Sequence, residues 1–177
     1  MRKLWLDVET TGLDATTNGI IQLACIDDET NDKFSIDIKP FKGCVYDKGA
    51  EEVHGISEKT ISKYTPEHEA VLSFIEWLDK IKGNGGQFSI AGYNSRFDMD
   101  FIVDLFKRNK IQYWDYFNYY DVDVFALVKI LDLGVGNKKL TTICETMNVK
   151  LDDAHDAMSD IKATRKLYKK IMKRYVK

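Results

Sequence analysis

A chain of 177 residues, 44% hydrophobic, can close one substantial core, and its 26 basic and 28 acidic residues leave a net charge of −2 that names no partner. The charge is uneven, because residues 161–177 hold eight Lys or Arg and no acid, leaving residues 1–160 near −10. Cys25, Cys44 and Cys144 form no C-x-x-C pair, which argues against zinc and for a reduced, cytoplasmic protein. Nothing approaches an 18-residue apolar run, so no membrane span is expected, and a strand at the N-terminus leaves no room for a signal peptide.

The first predicted element is a strand over Lys3–Glu9, with Leu4, Leu6 and Val8 on one face and Trp5, Asp7 and Glu9 on the other. Apolar residues on both faces mark a central strand. Its far end presents two carboxylates side by side. Two neighbouring buried carboxylates repel unless protonation or a cation relieves them, and a hard divalent metal suits oxygen ligands. The alternative is that the strand ends at Leu6 and both acids are solvated.

After a turn at Thr10–Asn18 come strands over Ile20–Ile26 and Phe34–Ile38, joined by a polar hairpin. Short helical pieces are expected around Glu51–His54 and Ser57–Tyr64. Thr65-Pro66 predicts a helix start, Thr as N-cap and Pro at the first helical position, with the apolar stripe Val71, Phe74, Ile75, Leu78, Ile81 ending at Gly83. A fourth strand covers Phe88–Tyr93 and a fifth lies near Phe117–Asp121. Helices are expected at about 97–108, 122–132, 139–147 and 155–175. Hairpin-linked strands followed by strands alternating with helices give a mixed α/β sheet flanked by helices.

Two further acids interrupt apolar stripes. Asp98 shares a helical stripe with Ile102 and Leu105, although an acid in a first turn also suits the helix dipole without any function. Asp160 falls within the inward stripe Ala157, Ile161, Thr164, Tyr168, Ile171 of the last helix. His155 can share a site with Asp160 only from the loop before that helix; otherwise it is a solvated loop histidine. Four carboxylates and one imidazole would suit two divalent ions and a general base, the equipment for phosphodiester hydrolysis.

Three segments also resemble a known family. Asp7-Val8-Glu9-Thr10-Thr11-Gly12 is similar to the D-x-E-x-T-G motif of the DEDDh 3′→5′ exonucleases. Asn94-Ser95-Arg96-Phe97-Asp98 resembles their N-x-x-F-D, and His155-Asp156-Ala157-Met158-Ser159-Asp160 their H-x-A-x-x-D. The resemblance spans nearly the whole chain, read as one exonuclease domain over residues 1–177. It implies a ribonuclease-H-like fold with a five-stranded mixed sheet, and two Mg²⁺ or Mn²⁺ ions held by Asp7, Glu9, Asp98 and Asp160. It also implies catalytic roles for Glu9 and for His155, the latter as the base. Within the family, Val53-His54-Gly55-Ile56-Ser57 is similar to a segment of the proofreading (epsilon) subunits of bacterial replicases and their phage relatives.

The expected substrate contacts are Thr10, Gly12 and Leu13 after the first strand, with His54 and Asn94; the last two read equally as ordinary loop and turn residues. The expected partner is a single-stranded or frayed 3′ end, DNA in preference to RNA, with a polymerase as a further partner. The chain stops directly after its last helix, so a freestanding enzyme, or one docking through its folded surface, fits better than a tethered subunit. The aromatic run Tyr113–Tyr120 offers stacking surfaces for bases, or else edge strand and core. The basic last helix could neutralise phosphates, or simply be solvated. Two alternatives stand beside the exonuclease reading: an RNA 3′-end trimming ribonuclease, and a non-catalytic nucleic-acid-binding module.

Overall fold

The computed structural model describes residues 2–83, 85–131 and 133–175. In chain order, β1 (Arg2–Thr10), β2 (Ile20–Asp27), β3 (Lys33–Lys39), β4 (Thr65–Pro66), β5 (Phe88–Gly92) and β6 (Phe117–Asp123) form one sheet. Its spatial order is β4-β3-β2-β1-β5-β6. β1–β2 and β2–β3 are antiparallel, whereas β3–β4, β1–β5 and β5–β6 are parallel, so the sheet is mixed. The five expected strands are all present, and β4 adds a sixth of two residues.

The addition is a correction at Thr65-Pro66. Both residues stay extended and pair with Ile38 and Lys39, so the helix starts at Glu67 with Pro66 rather than Thr65 in the cap position. Proline tolerates an edge strand because it lacks only the donor that faces away from the sheet.

Seven α-helices and a short 3-10 helix at Tyr113–Asp115 complete the described residues: α1 (Lys48–His54), α2 (Glu58–Ile61), α3 (Glu67–Lys82), α4 (Ser95–Arg108), α5 (Val124–Leu131), α6 (Leu140–Thr146) and α7 (Ala157–Tyr175). They cover two faces. Leu4, Leu6 and Val8 point into a core with Phe74 and Leu78 of α3 and Ile102 and Leu105 of α4. Trp5 points the other way, into a core with Val128, Ile143, Ile161 and Leu167. The alternation along β1 therefore assigns Asp7 and Glu9 to the α7 side.

Two charge clusters fix the layers. Asp27, fully buried, accepts from Arg2 at 2.8 Å, and Arg2 also donates to the Ile81 carbonyl of α3. On the opposite face Asp28 accepts from Trp5 Nε1 at 2.9 Å and from Arg165 Nε of α7 at 3.0 Å, while Tyr168 packs on Trp5 with centroids 5.1 Å apart. α7 is thus clamped to β1 and β2 near its middle.

Candidate active site

The site forms where β1 outruns its neighbour. β1 pairs with β5 only from Arg2 to Trp5, so the β5-facing edge of β1 is free beyond Trp5. α4 starts after β5 and fills that gap: Asp98 Oδ1, in its first turn, accepts from Val8 N at 3.0 Å. A Cβ on Gly92, which precedes this turn, would lie 3.0 Å from the Leu6 carbonyl oxygen and 3.4 Å from Asp98 Oδ2. Glycine lets the strand end approach that closely.

The neighbouring strand end adds a register shift between Glu9 and Thr10, the irregularity that re-aims side chains at sheet ends. Asp160 approaches from α7. Asp156 caps that helix, accepting from Ser159 N at 2.8 Å, so the helix begins at Ala157 and His155 stays on the loop. His155 takes a left-handed backbone, φ 68°, and its N–H donates to Asp160 Oδ2 at 3.3 Å. Ligand atoms of Glu9, His155 and Asp160 all lie within 4.8 Å of one another.

The electrostatics carry the signature of crowded acids. Burial first, then the charges of Asp98, Asp160 and Glu9, holds the Asp7 carboxyl well above the usual range. Glu9 is pushed up to about 8 by burial, then by Asp160 and Asp156. Asp160 is raised to about 6 by burial, against the pull of the His155 N–H. Asp98 is raised by burial against its bond from Val8. Asp160 Oδ1 is buried with no hydrogen-bond partner. Such a set of oxygen donors, crowded and one of them orphaned, fits a hard divalent cation, which would replace the missing protons and partner.

Beside Glu9 lies a cavity of about 480 Å³, lined by Thr10, Gly12, Leu13, Val53, His54 and Phe97 among others. Four of the five expected substrate contacts line it. Gly12 serves by its lack of a side chain: a Cβ there would lie 2.1 Å from Asp47 Oδ2 and 2.4 Å from Asn18 Nδ2. The Thr10 hydroxyl bends the loop by donating to the Gly12 carbonyl at 2.6 Å. Leu13 stands 85% exposed at the mouth. His54 Nδ1 accepts from Ile56 N at 3.0 Å, which puts the ring proton on Nε2, a buried atom without a partner. Burial lowers its pKa, which favours the neutral ring.

Asn94 stands apart. It is exposed at a left-handed turn, φ 68°, its N–H donates to Asp123 Oδ1 at 2.8 Å, and it lines a separate recess with Tyr93, Phe125, Lys138 and Lys139. Sequence reasoning missed Asp156, whose charge reaches Asp7 and Glu9, and the cavity wall given by Phe97 and Ala50, while Val53 lay in the segment already singled out with His54. Phe97 had a signal in its place beside Asp98. Ala50 arrives only through the fold, where Asp47 N donates to the Thr11 carbonyl at 2.7 Å and folds α1 over the loop.

Comparison with known proteins gives the chain's relatives and its family. Ribonuclease T of Buchnera aphidicola subsp. Baizongia pistaciae is 30% identical over 96% of the chain and 83% of the relative. The PolC-type DNA polymerase III of Bacillus cereus is 28% identical over 94% of the chain, which spans only 11% of that polymerase. Among solved structures, E. coli exonuclease I in complex with a dA16 oligonucleotide superposes with a TM-score of 0.80 at 22% identity, over 98% of the chain and 41% of that protein. The fold is thus the ribonuclease-H-like one of these exonucleases. A family model described as exonuclease, RNase T type, matches residues 4–168, and with that match the chain belongs to this exonuclease family.

Proposed function

We propose that the chain removes nucleotides one at a time from nucleic-acid 3′ ends by hydrolysis, releasing nucleoside 5′-monophosphates. The observation that carries this is the convergence of Asp7, Glu9, Asp98 and Asp160 with His155 at the end of β1, beside a cavity of about 480 Å³. The four carboxylates would hold two divalent cations, Mg²⁺ or Mn²⁺. When bound, such ions stabilise charge developing on phosphate and lower the pKa of water.

The chain's own groups have separable tasks. His155, on its loop within 4.8 Å of Glu9 and Asp160, takes the proton of the attacking water. Glu9 fixes the position of that water and would also be one of the groups that hold a cation. The Asp98 bond to Val8 fixes one carboxylate against the strand that carries two others. Neutral His54 offers its Nε2 proton to the terminal nucleotide, and Leu13 and Phe97 bracket its base or sugar. Asn94 meets the strand only outside this cavity.

Single-stranded or frayed 3′ ends are the proposed substrate, DNA in preference to RNA. The solved exonuclease I bound to dA16 and the PolC relatives support DNA, and the ribonuclease T relative supports RNA as the second substrate. A polymerase is the partner class that the PolC relatives support. Three free cysteines suit a reducing compartment, and the proposed location is the cytoplasm; no helix among the described residues is long and apolar enough to cross a membrane.

The test is a time course on matched end-labelled single-stranded DNA, single-stranded RNA and duplex, in Mg²⁺ and in EDTA. Stepwise loss from the 3′ end, dependent on the cation and faster on DNA, is the expected result. Undiminished activity in excess EDTA would overturn the metal assignment.

A further inference from the structure

We infer that the strand upstream of the cleaved nucleotide lies along the outer side of α4 and ends stacked on Trp114. The inference rests on the exonuclease reading and adds a path for the rest of the substrate. Three recesses are joined through shared walls. The cavity beside Glu9 shares Leu13 and Phe97 with a second recess of about 490 Å³. That recess shares Val103 and Lys107 with a third of about 320 Å³, which ends at Lys110 and Trp114. From Phe97 to Lys107 the helix rises about 15 Å, so the groove outlasts a single nucleotide.

The groove has the chemistry of a strand binder at its far end. Trp114 is 57% exposed, unusual for the largest apolar side chain, and its ring stands edge-on to buried Tyr113 with centroids 5.1 Å apart. An open indole stacks on any base. Lys107 and Lys110 are exposed and form no ion pair among the described residues, leaving their charge for phosphates. The middle of the groove also carries acids. Asp100 is paired with Arg96 at 3.0 Å and Asp104 with Arg108, while Asp14 accepts from the Thr16 hydroxyl at 2.7 Å. Arg108 is shared with Glu67 and Asp14 stays charged, so the central stretch keeps a net negative charge that a phosphate chain must bridge, and the grip falls at its two ends: the cavity and the Lys107–Lys110–Trp114 corner.

Steady-state kinetics on a thymidine dodecamer and a thymidine dinucleotide test this in the intact protein with Mg²⁺. Trp114→Ala should raise KM on the dodecamer about tenfold with kcat held, the usual worth of one stacked base. KM on the dinucleotide, too short to reach the corner, should move less than twofold. Lys107→Gln with Lys110→Gln should raise the dodecamer KM and reduce the magnitude of its log–log salt slope by about 1.4, for two phosphate contacts on a single strand. An unchanged dodecamer KM in both variants would overturn the path, as would an equal change on both substrates. So would a length-dependent KM rise on Lys162→Gln with Lys166→Gln while Trp114→Ala is silent, which would route the strand along α7. If the parent protein cleaves neither these oligomers nor their uridine counterparts, the exonuclease reading itself fails and takes the path with it.

Discussion

The Asp98 carboxylate accepts the backbone N–H of Val8 at 3.0 Å, tying the first turn of α4 to the strand that carries Asp7 and Glu9. This N–H lies beyond the pairing with β5, so without Asp98 it would lose its partner in a buried setting. Asp98→Asn keeps an oxygen acceptor there while removing a crowded charge. The metal-free variant should melt above the parent, and Mg²⁺ should no longer raise its melting temperature. Asp98→Ala should instead cost about 1–3 kcal/mol through the orphaned N–H. Thermal melts of the three proteins in EDTA and in Mg²⁺ check both outcomes.

Metal linkage should reverse the pH dependence of stability. In EDTA, Asp160 near 6 and Glu9 near 8 lie above their unfolded values, so the native state binds more protons than the unfolded one. Their contribution is present below about pH 4 and lost as pH rises through about 6 and then about 8. The EDTA-treated protein should therefore melt progressively lower from pH 5 to pH 9. Saturating Mn²⁺ should remove this fall, because cations bind the ionised form and stabilise by mass action. A metal-free melting curve that rises over that range would contradict the crowded-acid site.

His155 should matter to chemistry far more than to folding. It is exposed on a loop with φ 68°, a conformation that asparagine tolerates and alanine resists. His155→Asn is thus the cleaner variant. It should retain the parent's melting temperature and Mg²⁺ response while losing roughly 10²–10⁴ in rate, with the residue of activity rising with pH as hydroxide substitutes for the base. Wild-type rates at pH 7 would remove the histidine from the mechanism.

The proposed fit of a chain end in the cavity beside Glu9 predicts the polarity of attack. A 3′-phosphorylated or circular single strand should resist degradation for at least as long as a free strand takes to disappear. Gel analysis of labelled linear and circular DNA decides it, and efficient cutting of the circle would mean an endonuclease.

Gly12→Ala probes the wall of that cavity. Its Cβ would overlap Asp47 and Asn18, which hold the Thr10–Asn18 loop and residues 45–47 together. The variant should lose at least tenfold in kcat/KM and melt lower, yet keep its response to Mn²⁺. A variant as active as the parent would mean that this loop yields without consequence.

Much of this was legible in the residues. Asp98 and Asp160 stood out because each breaks an apolar stripe, and the alternation of β1 put Asp7 and Glu9 on one face. Those are local periodicities, and local periodicity survives translation into structure. Thr65-Pro66 misled because a good helix-start signal was also two residues of free edge beside Ile38 and Lys39, and tertiary pairing won. Asn94 illustrates the opposite limit: its neighbour Asp98 reaches the site, but a left-handed turn and the bond to Asp123 send Asn94 elsewhere. The cavity wall from α1 depends on contacts between residues more than 30 apart in sequence, which no window of periodicity reports.

The clasp of Trp5, Asp28 and Arg165 gives α7 a fulcrum. Asp160 sits five residues, about 7.5 Å of helix, ahead of Arg165 on the same rigid rod, whereas His155 lies beyond the Asp156 cap, off the rod. The two halves of the third motif therefore answer to different mechanics. The carboxylate keeps its station as long as the clasp holds, whereas the position of the imidazole depends on the loop and on the single His155 N–H bond to Asp160 Oδ2.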